Sequence, residues 1–242
     1  MKRYVLYYKN HILKNKEEEI IEEKPLFVQI NGQKKVLFRT PGDDLSLLAG
    51  MCFTEGFIAK KEDIICIDIV ENHAKMDIKM SPSKNYINEE DFYQIELKKA
   101  TNMDDIEVTI NAKQLLRCME VMESQQILRK KTKASHAAMI FSYNLRPIYM
   151  AEDVGRHNAL DKVIGKALLK NQLDKVFLAT LSSRISFEMA KKAAMAGIKI
   201  LMGISRPTSM AIRLGEKAGM SIITLAKNGG IIIFSGKERI QL

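Results

Sequence analysis

The densest concentration of reactive side chains in this 242-residue chain is the run Glu152-Asp153-Val154-Gly155-Arg156-His157-Asn158-Ala159-Leu160-Asp161-Lys162. Seven of these eleven residues are charged, amide-bearing or imidazole. The run lies between an apolar segment and a helical pattern, where an ordinary turn needs little more than one capping group. Asp153, Arg156 and His157 are therefore candidates for lining a cleft, with His136, just ahead of another apolar run, as a second imidazole for it. Imidazoles can act there as acid, base or phosphate donor. The plainer reading of the same residues is a set of caps and a structural ion-pair network.

Three further segments carry anion chemistry. Leu181-Ser182-Ser183-Arg184-Ile185-Ser186, Ile204-Ser205-Arg206-Pro207-Thr208-Ser209 and Leu225-Ala226-Lys227-Asn228-Gly229-Gly230 each follow a short apolar run. Their hydroxyl, guanidinium, ammonium and glycine groups suit a phosphate, and helix N-termini add free N–H groups and a positive dipole end. Ser183, Arg184, Ser205, Arg206, Thr208 and the stretch Lys227 to Gly230 are thus candidate contacts to a diphosphate or nucleotide. Any one loop alone reads as a helix cap; recurrence at three neighbouring strand ends favours an anion site.

Those residues need an alternating frame. From residue 139 onward, strands at 139–143, 148–151, 176–181, 198–203, 221–225 and 231–234 alternate with helices at 159–169, 187–196 and 209–218. Apolar strands separated by helices predict a largely parallel sheet covered on both faces, with ligands outside the carboxyl ends of its strands. Asn111 and Gln114 predict a capping box for a helix to about residue 126, striped by Leu115, Cys118, Met119 and Met122. Upstream, Asn31-Gly32 predicts a hairpin turn, and Asp43 or Asp44 starts a helix that Gly56 stops. Strands are expected at 64–70, 75–80 and 93–97, and residues 14–24 read as a solvated connector. The fold class is α/β, with a smaller mixed α+β region over residues 1–105 and a layered domain over 106–242.

Composition excludes several classes. With 46% hydrophobic residues the chain can bury a core, while no apolar run approaches the roughly 20 residues of a membrane span. A start without an apolar signal region predicts a cytoplasmic protein. Cys52, Cys66 and Cys118 form no CxxC pair, and all three are expected inside the core. A zinc deaminase site fails for want of His-x-Glu and Pro-Cys-x-x-Cys segments, so no metal and no zinc are expected. The net charge of 38 − 29 = +9 favours phosphate-bearing or acidic partners and by itself does not choose among nucleic acid, a nucleotide and an acidic protein. Absence of Trp and only 7% aromatics argue against nucleic acid.

The run from Glu152 to Gly165 resembles the signature of the FdhD family, the formate dehydrogenase accessory sulfur-transfer proteins. Arg39-Thr40-Pro41, Leu48-Ala49-Gly50, Thr54-Glu55-Gly56-Phe57-Ile58, Ser135-His136-Ala137-Ala138, residues 182–189 and residues 205–212 are similar to further family blocks, in order. The resemblance implies a three-layer αβα C-terminal domain related to cytidine deaminases without their zinc, and a homodimer. It implies cysteine desulfurase and formate dehydrogenase as partners. The cargo would be the molybdenum bis(molybdopterin guanine dinucleotide) cofactor, whose guanine nucleotide parts are held by the C-terminal domain. One contacting segment matches Leu225 to Gly230.

One departure bears on mechanism. The family's Cys-x-x-Cys loop should fall where this chain has Lys98-Lys99-Ala100-Thr101-Asn102-Met103-Asp104-Asp105. Neither Thr101 nor Asn102 can carry sulfane sulfur, since a persulfide relay needs a thiolate. Two readings follow: a sulfurtransferase-like accessory protein, or a non-catalytic chaperone for the cofactor.

Overall fold

The computed structural model describes residues 1–81 and 109–241. The expected strand at 93–97 and the segment 98–105 lie outside the described residues. An exposed hairpin comes first: β1 (Lys2–Lys9) pairs antiparallel with β2 (Ile12–Glu19) around Asn10 and His11, both at positive φ. The connector expected over 14–24 is thus mostly a strand. A two-residue turn sets the register, and Lys2–Glu17 and Lys16–Glu18 ion pairs tie the charged residues that had looked like solvated linker.

A four-stranded sheet follows, in the order β4 (Gln33–Arg39), β3 (Lys24–Ile30), β6 (His73–Ile78), β5 (Ile64–Val70). The Asn31-Gly32 turn takes positive φ at both residues, as expected. Leu26, Val28, Ile30, Ala74, Met76 and Ile78 alternate inward and are buried. Cys66 is a correction: it points outward opposite Asp77, because β5 is an edge strand whose register shifts between Ile64 and Cys66.

Helix α1 (Asp44–Thr54) carries the inner face of this sheet to the rest of the molecule. Asp44 does not cap it but takes a two-pronged contact from the buried Arg39 guanidinium, at 3.0 and 2.9 Å. α1 crosses α4 (Arg156–Leu169) backbone to backbone: a Cβ on Gly50 would lie 1.9 Å from the Asp161 carbonyl oxygen, and one on Gly165 would lie 1.9 Å from that of Ser46. Only glycines allow this approach.

The second sheet has six strands in the order β13 (Ile231–Ser235), β12 (Ser221–Leu225), β11 (Ile200–Ser205), β10 (Val176–Arg184), β8 (His136–Ser142), β9 (Pro147–Asp153). It is mixed where a largely parallel sheet was expected. β10, β11 and β12 run parallel through crossover helices α5 (Phe187–Met195) and α6 (Ser209–Lys217), whereas β8 and β9 form a hairpin and β13 returns antiparallel. Links too short for a crossover, such as 143–146 and 226–230, force the antiparallel turns.

Strand alternation divides two cores. Ala138, Ile140, Ala179, Leu181, Leu201 and Ile222 pack with α1, α4, α5 and α6, while Ala137, Met139, Phe141, Leu178 and Ile200 pack with α2 (Ala112–Gln125). α2 has its Asn111/Gln114 capping box and buries Leu115, Cys118, Met119 and Met122 as expected. A short helix α3 (Ile127–Thr132) follows it, and β7 (Ile110–Asn111) pairs in parallel with β14 (Ile240–Gln241). Among the described residues, no helix is long and apolar enough to cross a membrane.

Candidate functional site

One edge of the six-stranded sheet collects nearly every candidate from the sequence. The carboxyl ends of β9, β10, β11 and β12 emerge there, beside the start of β8. Register proves it: His136 lies opposite Asp153, Ala138 opposite Leu181, Arg184 beside Ser205, Gly203 beside Thr224, and Leu225 opposite Ile231. Arg184, Ser205, Arg206, Lys227, Asn228 and Gly229 are exposed on this rim. The Arg206 guanidinium lies 5.9 Å from the Phe234 ring centroid, a contact that orients its fork. Ala226 donates to the Gly230 carbonyl, closing a tight loop with Gly229 and Gly230 at positive φ and open space beside both. That space is what a backbone approach to a phosphate requires.

Not every candidate faces the rim. Ser183 is buried and donates its hydroxyl to the Arg184 carbonyl. The Thr208 hydroxyl accepts from Ala211 N–H as the cap of α6, and the Thr208 N–H is taken by the Ile185 carbonyl. The clearest correction is Asp153. Its fully buried carboxylate accepts from the N–H groups of Thr40 and Gly155 and the amide of Asn158, and pairs with Lys162 at 2.7 Å. No face of it remains for a ligand. Lys162 also donates to the Thr40 carbonyl, so this part of the polar run staples the end of β4 to the start of α4. Glu152 likewise accepts from the N–H groups of Leu128 and Arg129, capping α3.

Arg156, His157 and His136 are partly exposed. His136 Nδ1 and Arg156 Nε have no hydrogen-bond partner among the described residues. Burial holds the His136 pKa below its ordinary value, and the Arg129 and Arg156 cations deepen the effect. His157 Nε2 lies 2.9 Å from Glu188 Oε2, yet burial dominates and its pKa is also lowered. At neutral pH both rings are therefore uncharged, available as donor and acceptor.

Beneath His157 a cavity of about 320 Å³ opens between α1, α4 and α5, lined in part by Met51, Thr54, His157, Asp161, Glu188 and Lys191. Its floor is a buried pair: the Lys192 ammonium donates to both Asp161 oxygens at 3.0 and 2.8 Å and to the Thr54 hydroxyl at 2.9 Å. Burial pushes the Asp161 carboxyl up, and Lys192 opposes the shift. Burial also lowers the Lys191 pKa. Sequence reasoning missed Lys191 and Lys192, which fall inside the expected helix 187–196 with no role assigned; the preceding Glu188 and the distant Thr54 lay within quoted blocks without an assigned role. Among the described residues no cluster of metal ligands is present.

The described thiols stand apart from this edge. Cys52 and Cys118 are buried, with burial pushing their pKa values up to about 12 and about 11. Neither is a thiolate at neutral pH.

The FdhD/NarQ family model matches residues 21–241. The chain belongs to the FdhD/NarQ family. It is 32% identical over 240 residues to a sulfur carrier protein FdhD of Sulfolobus acidocaldarius, covering 93% of this chain and 92% of the relative. It is 27% identical over 269 residues to a sulfur carrier protein FdhD of Streptomyces coelicolor, covering 100% and 95%. A crystal structure of a candidate formate dehydrogenase accessory protein from Desulfotalea psychrophila superposes with a TM-score of 0.84 over 100% of this chain and 99% of that one, at 23% identity. That likeness establishes the fold. Of the blocks resembling the FdhD/NarQ family, those at 182–189 and 205–212 reach the cationic rim, while Thr54, Glu55, His157, Asp161 and Glu188 line the cavity.

Proposed function

We propose that this chain acts in the maturation of formate dehydrogenase, holding the molybdenum bis(molybdopterin guanine dinucleotide) cofactor at the sheet edge while sulfur is delivered to it from a cysteine desulfurase. The observation that carries this reading is the convergence of Arg184, Arg206, Lys227 and the open Gly229-Gly230 loop on one edge, beside two imidazoles held neutral. Cations and unblocked backbone suit the diphosphate of a guanine dinucleotide. Arg156 and His157 sit at the start of α4, next to where the rest of the cofactor would lie. The layered domain is compatible with the cytidine-deaminase-like frame, and a cytoplasmic homodimer completes the reading.

A second reading is favoured by one specific observation. Cys52 and Cys118 are buried and protonated, Cys66 lies on the outer face of the other sheet, and residues 98–105 hold no cysteine. On that account the chain holds the cofactor while another protein supplies the thiol. Incubation with a cysteine desulfurase and radiolabelled cysteine separates the two. Cyanide-releasable label on this chain supports sulfur delivery; label confined to the desulfurase, with cofactor binding intact, supports the holding role. Loss of both would remove the proposal.

A further inference from the structure

The cavity between α1, α4 and α5 holds a cation that the fold leaves unanswered. Glu188 and Lys191 stand three residues apart on α5, a spacing at which an acid and a base ordinarily face each other. Here the Glu188 carboxylate turns instead to His157, with Oε2 2.9 Å from Nε2 but off the line of a hydrogen bond. The half-buried Lys191 ammonium is left without a hydrogen bond or ion pair among the described residues. Taking an ammonium out of water without a partner costs free energy. Its neighbour Lys192 is fully engaged by contrast, with Asp161 and Thr54 closed around it.

The walls limit what can answer that charge. Glu55, Asp161 and Glu188 are balanced by Lys191, Lys192 and the Lys35 that meets Glu55 at 3.2 Å, so these groups carry no net charge. An anion alone would be attracted by Lys191 and repelled by Glu55 and Glu188, whose carboxylates both act on Lys191 against the burial that lowers its pKa. A cation alone would leave Lys191 unpaired. A molecule with both charges on adjacent atoms meets both requirements, its carboxylate toward Lys191 and its ammonium toward Glu188, one helical turn away. From the other elements Leu37 of β4 and Leu47 and Met51 of α1 add an apolar wall. At about 320 Å³ the cavity lies at the small end of ligand sites, which run from about 300 to 1,000 Å³.

We propose that this cavity binds a small α-amino acid with an uncharged, apolar side chain, its carboxylate on Lys191, its ammonium on Glu188 and its side chain against Leu37, Leu47 and Met51. The site goes beyond the proposed function, since it uses no cation of the rim and no part of a guanine nucleotide. It also lies at a junction: α1 packs with the four-stranded sheet, while α4 and α5 cover the six-stranded one. Occupancy therefore stabilises the meeting of the two sheets, and the whole chain by mass action.

Calorimetric titration of the full chain with L-leucine, with thermal melts alongside, tests the assignment. L-Leucine should bind saturably and raise the melting temperature. Its analogues 4-methylpentanoate, which lacks the ammonium, and 3-methylbutylamine, which lacks the carboxylate, should bind about tenfold more weakly or worse. Lys191→Met should weaken L-leucine by about tenfold or more, and Glu188→Gln should weaken it from the ammonium side, each with an unchanged circular dichroism spectrum. GDP binding should be unaltered in Lys191→Met, so failure at the cavity and failure at the rim are separate results. No saturable binding of L-leucine, equal binding of either analogue, or parent-like affinity in both variants would each overturn the proposal.

Discussion

The floor of the cavity and the rim of the sheet both draw on the polar run 152–162, and they treat charge in opposite ways. On the floor Asp161 meets Lys192, and at the junction of β4 and α4 Asp153 meets Lys162, each pair buried and each with further hydrogen bonds. On the rim, Arg184, Arg206 and Lys227 are in no ion pair among the described residues, and His136 Nδ1 and Arg156 Nε lack a protein partner. The fold thus satisfies its buried charges within one motif and leaves the cations of the neighbouring edge unpaired among the described residues.

The contrast breaks most severely where α1 meets α4. Gly50→Ala or Gly165→Ala places a methyl group 1.9 Å from backbone oxygen, so either should cost at least about 3 kcal/mol or prevent folding, as read by urea denaturation. A wild-type midpoint would show that the crossing is looser than described. Lys192→Met, which strands Asp161 in the interior, should cost on the order of 3–5 kcal/mol. The double variant Lys192→Met with Asp161→Leu should recover part of that loss, because no unpaired charge then remains.

These residues also show where sequence legibility ends. The Asn111 capping box, the Asn31-Gly32 turn and the alternation of 176–225 could be read because local chemistry dictates them. The rim could be read because anion-friendly residues recur after each strand. Lys192 could not: in the sequence it is one of two adjacent lysines on a helix, and only the docking of α1 makes it a buried partner of Asp161. Asp153 was misjudged for the same reason, since Lys162 and Thr40 close over it from elements 9 and 113 residues away. The hairpin β1–β2 was missed because Asn10-His11 is a weak turn signal and its strands are rich in lysine and glutamate.

On the rim, smaller effects are expected. His157→Ala should cost less than about 1 kcal/mol, since the ring is partly exposed, while weakening cofactor binding. Acidification sharpens the point. The folded-state pKa values of His136 and His157 are depressed below the unfolded value of about 6.5, so the unfolded chain binds protons first. Stability from these residues is present above that pH and is lost as pH falls below it. His136→Gln should flatten the decline in melting temperature between neutral and mildly acidic buffer; an unchanged slope would remove His136 from the account. Smallest of all, alkylation of the folded protein should modify Cys66 alone, with Cys52 and Cys118 reacting only after denaturation.

The division between satisfied scaffold and open rim is tested most directly by titrating GDP calorimetrically into the parent and into Arg206→Ala, with thermal melts of both. Saturable binding by the parent, weakened roughly tenfold or more by the loss of one charge-assisted phosphate contact, with melting temperatures within a few degrees, is the predicted result. No saturable binding, or equal binding by the two proteins, would contradict it.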